Sequence, residues 1–153
     1  RAASKAAFVS VSVPAWFDLK SRSFEQPRNR YNLEAHFDLQ ELLTNFGSSR
    51  FTGGLNLAAN LLRKPRKMEV LGHMVQDLYH EGKLAEINDY CRCDALDTYF
   101  VFLRTRVMLG ELTRDEEQGI VAETKEWLLR QAKDSPGIAS YLQGWGDWVD
   151  PWK

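Results

Sequence analysis

Cysteine is nearly absent from this 153-residue sequence, which has only Cys91 and Cys93. Spaced as they are, two such residues on a helix project to nearly opposite sides and are poorly placed to bond to each other. His36, His73 and His80 are scattered, and no Cys-x-x-Cys pair occurs, so nothing has the spacing of a structural zinc site. Reduced thiols in the core are expected, which suits a cytosolic compartment. Long apolar runs are missing too. No stretch approaches the length of a membrane-crossing helix, and the opening residues lack the basic-then-apolar order of a secretion signal, so a soluble, cytoplasmic protein is the expectation. Neither sign of charge is in excess. With 20 Lys+Arg against 21 Asp+Glu the formal net charge is -1, and any contact with a polyanion must use a local basic patch. Internal repeats and low-complexity segments are also absent, which leaves one domain over residues 1–153.

What is present suits that size: 44% hydrophobic and 27% charged residues are enough for a single core. The chain opens at Arg1 without methionine, and Ala2-Ala-Ser-Lys-Ala-Ala-Phe8 looks like the middle of a helix, so a fragment or processed chain is expected. Residues 8–17 alternate like a strand until Pro14, and the polar residues 18–32 read as a loop. His36-Phe-Asp-Leu39 is expected as a brief strand running into a helix over 40–46 that Gly47 ends. Further helices are predicted over 55–62, closed by Pro65, then 72–79, 84–109 and 115–133, with Pro136 separating the last from a tryptophan-rich tail.

The 84–109 helix carries the most informative pattern, Glu86-Ile-Asn-Asp-Tyr-Cys-Arg-Cys-Asp-Ala-Leu-Asp-Thr-Tyr99. At about 100° per residue, Tyr90, Asp94, Asp97, Val101 and Arg104 form one stripe. One apolar band beside it holds Cys93, Leu96, Phe100, Leu103 and Val107; the other holds Cys91, Ala95, Phe102 and Leu109. Arg92, Tyr99 and Arg106 form a second polar stripe opposite. A helix apolar on two sides is largely buried, so one polar stripe should face a protein cleft. The alternative is that Asp94 and Asp97 are solvated while the arginine stripe faces inward through salt links. A phenol and a carboxylate stacked one turn apart suit half of a metal-dependent nuclease site, with the carboxylate on a divalent ion and the hydroxyl orienting a water.

The run Ala85-Glu-Ile-Asn-Asp-Tyr-Cys-Arg-Cys-Asp-Ala-Leu-Asp-Thr-Tyr-Phe-Val-Phe-Leu-Arg104 resembles the third exonuclease motif of DEDDy-type 3′-5′ exonucleases. Upstream, His36-Phe-Asp-Leu39, Gly53-Gly-Leu-Asn-Leu-Ala-Ala59, Lys67-Met68 and Gly72 resemble the group related to the exonuclease domain of family B DNA polymerases. The resemblance covers roughly residues 14–130. It implies a ribonuclease H-like α/β fold, and hydrolysis of phosphodiester bonds at DNA 3′ ends with two divalent ions, Mg²⁺ or Mn²⁺. It places Asp94 at the last metal-binding aspartate and Tyr90 at the tyrosine that positions the attacking water. Asp97 falls beside the site and Asp38 outside it, in a structural role. The family's Asp-x-Glu motif and its second aspartate motif have no match here and are expected upstream of Arg1. The chain would then be the C-terminal portion of the fold, mainly α with few strands.

Arg63, Lys64, Arg66 and Lys67 crowd four positive charges around Pro65. They could contact the phosphates of a substrate strand or form a solvated turn. The tail, Trp145-Gly-Asp-Trp-Val-Asp-Pro-Trp152, offers rings on which bases could stack, or that pack a terminal segment onto the core. DNA, as a single strand or 3′ end, is the expected partner, with RNA as the other candidate. A non-catalytic nucleic-acid-binding or protein-interaction module with a degenerate nuclease fold is the alternative from a different class. An unrelated helical interaction domain is the third.

Overall fold

Every regular element among the residues that the computed structural model describes, 37–65 and 72–150, is helical. The readings over residues 1–36 lie outside them. The chain divides into two units, Arg1–Arg50 and Phe51–Lys153, taken in turn.

In the first unit the expected strand gives way to a helix start. Asp38 has extended backbone angles and caps α1, Leu39–Leu43, accepting hydrogen bonds on Oδ1 from the amides of Gln40 (2.9 Å) and Glu41 (3.1 Å). A carboxylate there satisfies amides that have no partner within the helix and sits at the favourable end of its dipole. The structural role expected of Asp38 is thus that of a cap on a helix, not of a strand residue. The helix is also shorter than predicted. Asn45 (φ 49°) and Phe46 (φ 55°) turn left-handed before Gly47 (φ 86°).

The second unit is built around one long helix. Gly53, at φ 112°, leads into α2, Gly54–Leu61; a Cβ there would lie 2.7 Å from Leu57 Cβ, so only glycine fits this entry. A 3-10 turn, Gly72–Met74, runs into α3, Val75–His80. The central helix α4, Leu84–Met108, follows Gly82 (φ 75°) and stops at Gly110 (φ 73°). Next is α5, Arg114–Gln131. It opens with a reciprocal box in which Thr113 accepts from the Glu116 amide and the Glu116 carboxylate accepts from the Thr113 amide. The sequence reading missed α6, Pro136–Gln143, although Ser135 caps it and proline occupies its first turn, the position proline favours.

α2, α3, α5 and α6 all pack against α4. The buried side chains of α4 are Tyr90, Cys93, Asp97, Phe100, Val101, Leu103 and Thr105, and they meet Ala58 and Ala59 of α2, Leu78 of α3, Leu128 of α5 and Ile138 and Tyr141 of α6 in one core. The expected second apolar band faces outward instead: Cys91, Ala95 and Leu109 are exposed and Phe102 is half-buried. Cys91 is therefore a surface thiol rather than a core one, while Cys93 is buried as expected. No helix among the described residues is long and apolar enough to cross a membrane.

α6 comes close to α4 at Gly137, where a Cβ would overlap the side chain of Asp89. On an open helix Gly→Ala would stabilise by up to about 1 kcal/mol. Here the added methyl must displace a side chain that is itself bonded to Arg92, at 2.9 Å. Gly137→Ala should therefore lower stability by about 1–3 kcal/mol in a denaturant melt. A higher melting midpoint would show that the close approach is not a constraint.

Candidate active site

The stripe of Tyr90, Asp94, Asp97, Val101 and Arg104 lies in the middle of the buried face of α4. Tyr90, Asp97 and Val101 are buried and Asp94 and Arg104 half-buried, whereas Arg92 and Tyr99 of the opposite stripe are exposed. The acidic stripe, not the arginine stripe, faces the protein. This leaves α4 with little amphipathic contrast, because polar residues share its buried face with the band of Cys93, Phe100 and Leu103.

Three aspartates of α4 have different surroundings. Asp89 is paired with Arg92 at 2.9 Å. Asp97, only 2% exposed, accepts a hydrogen bond of 2.7 Å from the Tyr141 hydroxyl of α6. Burial, with that bond to the carboxylate, raises the Tyr141 phenol far above its ordinary value and keeps it neutral. Asp97 is thus a core residue tied to α6 rather than an open neighbour of the site. Asp94 differs from both. It is half-buried, and among the described residues its carboxylate has no hydrogen-bond or ion-pair partner; only its main-chain carbonyl is engaged, by Thr98 Oγ1 at 2.7 Å.

One turn before Asp94, the Tyr90 side chain reaches the start of the 3-10 turn, so that a Cβ on Gly72 would sit 3.6 Å from its hydroxyl oxygen. Helical spacing thus brings Tyr90 and Asp94 to one line, and four helices packed on α4 hold it in place. No group of three His, Cys, Asp or Glu side chains able to hold a metal ion forms among the described residues. A two-metal centre needs several carboxylates, so Asp94 with its described neighbours does not make one. The nearby Cys93 thiol is pushed up to about 11, first by burial and then by Asp97, Asp89 and Asp94, and is therefore unreactive at neutral pH.

The basic loop departs from expectation at Lys64. It is 5% exposed, its ammonium donates to the Gly146 carbonyl at 3.3 Å, and it lies 3.9 Å from the centre of the Trp145 ring. A lysine so held is not a surface phosphate contact. Arg63 is exposed, with φ 57°, and its carbonyl accepts from the Gly146 amide at 2.8 Å. Arg66 and Lys67 lie outside the described residues.

Sequence reasoning also missed the polar partners that close the interior. Arg104 is bonded twice to Glu117 of α5, Nε to Oε1 at 2.7 Å and Nη2 to Oε2 at 2.9 Å. In the described part of the tail, Trp145 and Trp148 pack rather than project. Trp145 meets Phe100 edge-on at 5.1 Å, and the guanidinium of Arg104 lies over Trp148 at 4.1 Å.

Residues 3–145 match a family model described as a predicted 3′-5′ exonuclease related to the exonuclease domain of PolB. That family fits a ribonuclease H-like fold, although the described part of this chain is helical. No curated protein and no solved structure matches the sequence.

Two measurements probe this interior. Tyr141→Phe keeps the ring but removes a donor to Asp97, and should lower unfolding free energy by about 1–3 kcal/mol; an unchanged midpoint would show that the bond contributes nothing. Lys64 is lowered from 10.5 to about 8, chiefly by burial and also by Lys125 and Arg104, against Asp147 and Glu117. Between those values the folded chain binds fewer protons than the unfolded one, so this group's contribution to stability rises with pH over that window. The Lys64 Cε resonance should titrate near pH 8, and Lys64→Met should flatten the stability profile between about pH 8 and 10.5. An ordinary lysine midpoint would contradict the burial argument.

Proposed function

The chain belongs to the family of predicted 3′-5′ exonucleases related to the exonuclease domain of PolB, and from that membership we propose that α4 carries the tyrosine and one of the acidic residues of a metal-dependent site that removes nucleotides from DNA 3′ ends. Family membership supports exonuclease activity; the assignment to residues rests on Asp94. Of the aspartates on α4, it alone is half-buried, on the inward stripe and without a partner among the described residues, so its lone pairs are available to a cation. Hard divalent ions take oxygen ligands of this kind, which favours Mg²⁺ or Mn²⁺. Tyr90, a turn away, offers a hydroxyl that can orient a water beside such an ion. The remaining acidic ligands must come from outside the described residues.

A non-catalytic nucleic-acid-binding or protein-interaction module is the second reading, favoured by the lack of a three-ligand cluster among the described residues. Cleavage decides between the two. With Mg²⁺ or Mn²⁺ and a 5′-labelled oligonucleotide, the protein should produce a ladder of products shortened from the 3′ end. Asp94→Asn should reduce the rate at least roughly hundredfold by removing a metal ligand. Tyr90→Phe should reduce it roughly 10- to 100-fold, as expected for loss of an orienting hydrogen bond, and leave Mn²⁺ binding unchanged. Full activity in the Asp94 variant would refute the assignment, and no metal-dependent shortening by the native chain would favour the module.

A further inference from the structure

The sequence of residues 145–150 alternates rings and acids: Trp145, Asp147, Trp148, Asp150. The structure lays this segment, which has no regular secondary structure, on a group of cations drawn from three parts of the fold. Lys64 from the loop after α2 lies 3.9 Å from the Trp145 ring centre. Arg104 of α4 and Arg114 of α5 lie over the Trp148 ring, at 4.1 and 4.5 Å. Arg114 also pairs with Asp150 at 2.7 Å, and Lys125 with Asp147 at 3.3 Å. Each ring thus has a cation over its face, and each acid has a cation at its oxygens.

A single-stranded nucleic acid asks for the same chemistry. Its bases stack on flat groups, guanidinium planes among them, and its phosphates pair with Arg and Lys. Without residues 147–150, Arg104, Arg114 and Lys125 would lose their cover, with Glu117 as the acid bonded among them, leaving a net positive surface on a chain of formal net charge -1. That surface begins ten residues beyond Asp94 along α4, about 15 Å at the rise of an α-helix, within the length of a short strand.

The attachment is also of a releasable kind. Trp145 is anchored by Phe100 and by the main-chain bond from Gly146 to Arg63. Beyond Gly146 the contacts of the segment include the ion pairs of Asp147 and Asp150, the ring contacts of Trp148 and a hydrogen bond from the Trp145 indole to Asp147. Lys125 and Asp147 are 37% and 81% exposed, where an ion pair contributes little and is screened by salt, while the Arg114–Asp150 pair, 46% and 11% exposed, is the firmer of the two.

We infer that residues 147–150 act as an internal mimic of a nucleic-acid strand, lying on a cationic surface formed by Arg104, Arg114 and Lys125 and competing there with single-stranded substrate. This rests on the nucleic-acid reading above. The segment lowers the affinity of the resting protein for nucleic acid, and a strand long enough to reach the surface from the Asp94 end displaces it.

The test is binding of a fluorescein-labelled oligo(dT) strand to the full chain, by anisotropy, in EDTA so that no cleavage intervenes. Replacing both acids, Asp147→Asn with Asp150→Asn, keeps the rings and should tighten binding roughly tenfold, the scale of the two ion pairs removed. It should also steepen the salt dependence, since more phosphates then meet free cations. Arg114→Ala added to that background should reverse most of the gain. In native protein labelled with 5-fluorotryptophan, the ¹⁹F signal of Trp148 should move on adding the oligonucleotide, a readout that survives if the double variant fails to fold. Binding that is unchanged or weaker in the double variant, or a stationary Trp148 signal under saturating oligonucleotide, would overturn the inference while leaving the exonuclease assignment standing. Failure of every form to bind would overturn it together with the nucleic-acid reading. Cleavage by the native chain, and its loss in Asp94→Asn, is scored separately.

Discussion

A long helix that turns its polar stripe inward constrains everything packed on it. α4 has 25 residues, and the centre of its buried face is occupied by Tyr90, Asp97 and Arg104 rather than by aliphatic side chains. Burying such groups without partners costs several kcal/mol each, so each needs a partner at a defined place. α6 supplies Tyr141 for Asp97, and α5 supplies Glu117 for Arg104. Those bonds fix where α5 and α6 lie along α4 in a way that apolar packing alone would not, because Leu128 and Ile138 could slide by a turn at modest cost while a buried carboxylate could not. Buried pairs of this sort add little net stability relative to a well-packed apolar core. Removing one partner is far worse than never having had the pair.

Much of this was legible where the chain marks its own punctuation. Gly82, Gly110 and Thr113 delimit α4 and the start of α5, and prediction and structure differ there by a residue or two, since left-handed glycines and a capping box act locally. Asp38 was misread because four residues, His-Phe-Asp-Leu, alternate as a strand would, while the capping geometry depends on Gln40 and Glu41 beyond them. α6 went unread behind its tryptophans although Ser135 and Pro136 announce it. The inward stripe was legible as a line of residues but not in its partners, because Tyr141 is 44 positions from Asp97. Lys64 was misjudged for the same reason. Its local setting is a run of charges, and its burial is decided by Trp145 and Gly146, the latter 82 positions away.

The aspartates of α4 show that position rather than residue type assigns the chemistry. Asp89 is bonded to an arginine one turn on, Asp97 to a buried phenol, and Asp94, midway along the same helix, to no side chain among the described residues. A half-buried carboxylate keeps water on its open side and costs little where it stands, so the metal-ligand role proposed for Asp94 rests on that access and not on stability. The same reasoning separates the cations. Arg104 is neutralised by Glu117 inside the fold, yet its outer face still meets Trp148, and Arg114 and Lys125 meet Asp150 and Asp147. Arg104, Arg114 and Lys125 are therefore answered from within the chain, by a buried acid where the charge is structural and by acids of the tail where it is superficial. On the reading proposed above, an external strand competes for the second kind and for the outer face of Arg104 but not for the bond from Arg104 to Glu117, because breaking that bond would strand a buried carboxylate.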